Sequence, residues 1–171
     1  MKALRLKYLL LFLAQAALWN YCNFSQYLVV VLLPAMLLCL PAGRGTIPVM
    51  CLAFVTGLAA DFLVTGQLGL TSFCLVPVAL LRRRVIRIVF GQELFVRDES
   101  LSFRRQGWQK FLTAILLLTA VFLLFFVWVD EAGTRPLWFC AAKFGISLAV
   151  STAAGMLVAY LMLEESGEPW K

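Results

Sequence analysis

Six long apolar stretches separated by short polar breaks constrain this chain more than anything else in it. They cover residues 6–24, 27–40, 46–65, 68–90, 111–129 and 137–163. A helix that crosses a bilayer needs about 20 predominantly apolar residues, and most of these stretches come close to that length. The chain of 171 residues is 63% hydrophobic, with a mean hydropathy of +0.91. Soluble domains are about 45–50% apolar on a similar count. A soluble fold of this size has too little interior to hide so much apolar surface, whereas a bilayer accepts it. The expected fold class is an all-α integral membrane protein. Its residues 1–171 form a single transmembrane domain, a compact bundle of six helices.

Each stretch has a distinguishing feature. The first follows a basic start (Lys2, Arg5, Lys7) and ends near Trp19, Tyr21 and Phe24. No A-x-A cleavage site follows it, so it reads as a retained first span rather than a signal peptide. The second contains Pro34, which predicts a kinked helix because proline removes one backbone hydrogen bond. The third carries Asp61 near its end, and the short break at Thr65-Gly66-Gln67 makes the third and fourth antiparallel neighbours. The fourth contains Pro77, expected to kink it, and runs into a basic stretch, residues 82–110. Arg82, Arg83, Arg84 and Arg87 begin that stretch as a basic patch. It reads as a helix extension, an amphipathic surface helix or a solvated loop. The fifth is the most lipid-like and is expected to face lipid broadly. The sixth carries Lys143, Gly145, Ser147, Ser151 and Gly155, small and hydroxylic residues that suit close packing inside a bundle.

Charge placement orients the bundle. Six spans with both termini on the cytoplasmic side put thirteen of the fifteen Lys and Arg on that side. Only Arg135 then lies in an outer loop, while Lys143 lies within a span, as the positive-inside rule requires. The net charge of +6 therefore points to orientation and contact with anionic lipid head groups, not to nucleic acid.

Chemistry-bearing residues are few. There is no histidine, and the cysteines (Cys22, Cys39, Cys51, Cys74, Cys140) form no C-x-x-C pair, so the common zinc and haem sites lack ligands. No cofactor is expected. No nucleophile sits beside a base and no carboxylates are paired within a span, which argues against an enzyme. Asp61 is the main candidate: a structural ion pair, a proton or cation site, a partner anchor, or a helix-end acid reaching the outer head groups. It lies about 6 Å below the Thr65-Gly66 break at 1.5 Å per residue, and Lys143 about 10 Å below its own turn at Pro136. At such similar depths the two are expected to pair or to share a polar pocket, unless the lysine snorkels outward. Gly57 lies on the same helix face as Asp61. Gly66 is expected to supply a positive φ and Gly69 a close approach at the start of the fourth helix.

The Asp61 stretch carries a family resemblance. Gly57-Leu58-Ala59-Ala60-Asp61, Thr65-Gly66 and Leu68-Gly69-Leu70 resemble the corner of the rod shape-determining protein MreD. The basic N-terminus, the second span with Pro34 and Leu40-Pro41, and the chain length are similar too. The basic stretch is longer than in a minimal member. The resemblance implies a non-catalytic component of the bacterial inner membrane that binds MreC. Through MreC it would act with the filament protein MreB, the polymerase RodA and a penicillin-binding transpeptidase. It also implies a body resembling the substrate-binding S component of energy-coupling-factor vitamin transporters. Such an S component is the alternative reading, with Asp61, Lys143, Trp128 and Trp138 converging on an outer pocket.

Overall fold

The computed structural model describes residues 2–21, 28–41, 45–65, 68–91, 107–130 and 137–163. Among them are six α-helices and no strand: α1 (Lys2–Tyr21), α2 (Leu33–Leu38), α3 (Thr46–Ala60), α4 (Leu70–Phe90), α5 (Trp108–Asp130) and α6 (Leu137–Leu163). A π-helical turn, Asp61–Thr65, continues α3. Three segments are long and apolar enough to cross a membrane: Thr46–Leu63, Trp108–Asp130 and Trp138–Met162. This is consistent with a membrane protein, because a helix satisfies its backbone internally where no water is present.

The centre of the bundle is α2. All six of its residues are buried, and α4, α5 and α6 pack around it. Of the three long apolar segments, the one in α5 is the most enclosed, at 44% buried against 33% in α6 and 28% in α3. One side of α5, with Leu116, Leu117, Leu124 and Trp128, is exposed as a lipid-facing helix would be, and the other is enclosed. Its Phe111, Ile115, Leu118, Phe122 and Leu123 fill the core, because large apolar side chains pack equally well against protein and against lipid. In α6 the polar and small residues divide: Ser147, Ser151 and Gly155 face the bundle, whereas Gly145 and Ala149 lie on its exposed side. The Cβ position of Gly155 is closed off by Ile115 at 2.8 Å and Ala35 at 3.2 Å.

The second apolar stretch departs most from expectation. It is not one helix kinked at Pro34. The helix begins at Leu33, and Pro34 sits in its first turn, where its missing N–H would have had no partner anyway. Proline supplies the physical reason. A helix continuing back through Pro34 would leave the Val30 carbonyl without its donor, and in the structure that carbonyl is taken by Gln15 and Trp19 instead.

Flanking helices replace the hydrogen bonds this non-helical backbone lacks. Ser147 Oγ accepts from the Val29 amide at 2.9 Å. Ser151 Oγ accepts from the Val31 amide at 3.0 Å and donates to the Val29 carbonyl at 3.2 Å. On the other side, the Val30 carbonyl accepts from Gln15 Nε2 at 3.0 Å and Trp19 Nε1 at 2.7 Å. The Leu32 amide donates to Gln15 Oε1 at 2.7 Å. Odd residues thus turn to α6 and even residues to α1, the alternation of an extended chain. The spacing matches as well. Two extended residues rise about 6.6 Å, and the four-residue steps Ser147–Ser151 and Gln15–Trp19 rise about 6 Å.

Candidate functional site

Two buried charges, Asp61 beside the start of α4 and Arg82 within it, hold backbone groups at helix ends. Asp61 follows α3 and has no exposed surface. Its Oδ2 accepts from the Gly69 amide at 2.9 Å, and Oδ1 and Oδ2 accept from the Thr71 amide at 3.0 and 3.1 Å. The Ser72 amide contributes a longer contact of 3.4 Å. These are the first amides of α4, donors that no helix satisfies internally. The residue in the N-cap position, Gly69, has no side chain to cap them, and a carboxylate from the preceding helix does so instead. Its negative charge also sits at the positive end of the α4 dipole.

Gly57 explains how α3 comes close enough. A Cβ there would lie 2.6 Å from Ser72 Cα and 2.7 Å from its backbone nitrogen. Ser72 Oγ donates to the Phe54 carbonyl at 3.2 Å across the same contact. The close approach expected at Gly69 is corrected. Gly57 makes the close approach, while Gly69 takes the positive φ, 101°, with open space beside its Cβ position. Gly66 lies outside the described residues.

Lys143 meets a different acid from the one expected. Its Nζ donates to Asp130 Oδ2 at 3.0 Å, with side-chain exposures of 7% and 33%. Asp130 ends α5 and Lys143 lies early in α6, so the pair bridges two helices consecutive in the chain. Backbone amides hold the Asp61 carboxylate, and Lys143 forms its ion pair with Asp130.

Arg82 is the second of these charges, and it stands apart from the basic patch that it opens in the sequence. Arg83, Arg84 and Arg87 are exposed, but Arg82 is buried. Its Nη2 donates to the carbonyls of Leu38 (3.4 Å), Leu40 and Pro41 (3.3 Å). A cation there meets the last carbonyl of α2 and two just beyond it, at the negative end of the helix dipole. The basic stretch opens as a continuation of α4 to Phe90, which decides that reading in favour of a helix extension. Residues 92–106 lie outside the described residues.

The sequence contained a signal for Arg82. Leu75, Val78, Ala79, Arg82, Val85 and Ile86 are all buried, at the three- and four-residue spacing of one helix face. Gln15 was missed as well. It is an amide within an otherwise apolar part of α1, one turn from Trp19, and such a group demands a partner at membrane depth. Chemically, the side chains described above engage backbone groups or each other. Among the described residues no three His, Cys, Asp or Glu side chains gather as a metal site would need. Compared with protein-family models, curated proteins and solved structures, the chain matches none of them.

Proposed function

We propose that this protein is a non-catalytic, multi-pass component of the bacterial cell-elongation machinery, of the MreD kind. It binds the bitopic protein MreC and, through it, helps organise MreB, RodA and a penicillin-binding transpeptidase. The observation that carries this reading is the Asp61 corner. The residues that resemble MreD are the ones with structural work there: Gly57 admits α4, Asp61 caps it, and Gly69 turns the chain. A motif whose polar groups serve architecture suits a scaffold.

The same proposal places six spans in the inner membrane with both termini cytoplasmic. Two exposed tryptophans support the placement. Trp108 and Trp128, at opposite ends of α5, are 59% and 67% exposed. They stand about 30 Å apart at 1.5 Å per residue, which is the hydrocarbon thickness, and tryptophan favours both interfaces.

The S-component alternative gains no support from its expected pocket residues. Asp61 is turned to backbone amides, Lys143 to Asp130, and Trp128 and Trp138 are exposed. Affinity purification of the tagged protein from detergent-solubilised membranes, read by mass spectrometry, tests the proposal. MreC is expected among the recovered proteins. A tightly retained vitamin with no MreC would overturn the assignment.

A further inference from the structure

We propose that the exposed arginine face at the end of α4 binds an anionic phospholipid, in the leaflet at the Arg82 end of the bundle. The inference rests on the membrane placement proposed above. Arg82 sets the depth, since its guanidinium closes the second segment at Leu38, Leu40 and Pro41. Beyond it α4 continues to Phe90, about 12 Å further at 1.5 Å per residue. Arg83, Arg84 and Arg87 are exposed and lie about 1.5, 3 and 7.5 Å past Arg82. The head-group layer is about 5–7 Å thick on each side of the hydrocarbon, so these three arginines occupy it.

Direction matters as much as depth. At about 100° per residue, Arg83, Arg87 and Arg84 fall within a 100° arc of the helix. Leu80 and Phe73 point into the same arc from the membrane side of Arg82, and both are about half exposed. One stripe of α4 is therefore apolar where acyl chains run and triply cationic where phosphates lie. Guanidinium forks bind phosphate oxygens two at a time. An acidic protein segment would match the arginines but not the apolar part of the stripe, so the lipid fits the whole face better.

The test uses the full-length protein in detergent, titrated with phosphatidylglycerol and read by native mass spectrometry. R83Q/R84Q/R87Q is expected to weaken lipid binding by roughly a hundredfold, from the usual contribution of a basic residue at a charged membrane surface. R83K/R84K/R87K, which keeps the charge, should retain most of the binding and so guards against a folding artefact. K2Q/R5Q/K7Q removes equal charge from α1 and is expected to change binding by less than about threefold. Glycerophosphoglycerol, the head group without acyl chains, should fail to compete. Equal losses in the two glutamine variants, wild-type binding by R83Q/R84Q/R87Q, or full competition by the free head group would each overturn the proposal. So would displacement of the lipid by a poly-aspartate peptide.

Discussion

Asp61 beside the start of α4 and Arg82 further along it solve one problem with opposite signs. At the first, a carboxylate from one helix closes the N-terminus of the next. At the second, a guanidinium from α4 closes the C-terminus of α2. Neither solution depends on a pairing between the two charges. Each is matched to the backbone, and the direction of the helix it caps dictates its sign. The Lys143–Asp130 pair is different, since there a charge is matched to a charge at a partly exposed site. The contrast teaches which charges can be exchanged: a mutual pair can be reversed, and a capping charge cannot.

The largest expected effect tests Asp61. Asp61→Ala strands several buried amides and should cost about 3 kcal/mol, as when one partner of a buried charged contact is removed. Asp61→Asn keeps an acceptor oxygen and should cost about half as much. Unfolding by SDS in mixed micelles, followed by tryptophan fluorescence, reads both; equal losses would mean that hydrogen bonding contributes nothing beyond charge.

Next comes Arg82. Arg82→Met should cost about 2 kcal/mol by leaving carbonyls at the end of α2 without a donor, whereas Arg83→Met, one residue away on the exposed face, should stay within about 0.5 kcal/mol. Similar losses at the two positions in the same assay would show that Arg82 is not the cap.

Gly57→Ala sharpens the account of how the acid reaches its place. The added methyl meets the backbone of Ser72, and overpacking of that kind costs about 1–3 kcal/mol. Gly69→Ala should cost about 1 kcal/mol from backbone conformation alone, because nothing crowds the site. A larger loss at Gly69 than at Gly57 would reverse the roles given to the two glycines.

The smallest effect belongs to the exchangeable pair. Asp130→Lys with Lys143→Asp should lie within about 1 kcal/mol of the natural protein, as expected for a partly exposed ion pair. Asp61→Lys is expected to be lost from membranes at any expression level. Equal abundance of the two variants in a membrane immunoblot would remove the distinction between the two kinds of charge.

Asp61 was legible in the sequence because a single carboxylate among apolar residues and glycines stands out. Its partner was not, since a carboxylate at membrane depth suggests a cation, and backbone amides leave no mark in side-chain identity. Arg82 was hidden by its neighbours, because three consecutive arginines read as one patch until the helix face is followed turn by turn. The second segment was misread for a related reason. Leu28 to Val31 is apolar in either conformation, and only its partners Gln15, Trp19, Ser147 and Ser151, elsewhere in the sequence, decide that it is not helical.

That dependence has a consequence for the order of synthesis. The serines that bond Val29 and Val31 come 118 and 120 residues later in the chain. At about 5–20 residues per second, they are made some ten seconds after the segment they complete. Until then the extended backbone has no donors or acceptors from that side, and bare backbone is not tolerated in lipid. The second segment is therefore expected to wait beside the insertion machinery while four later helices are built. In a chain freed of its native cysteines, Val31→Cys should react with thiol reagents when the chain is truncated at residue 136 and be protected in the full-length protein, where that position is buried.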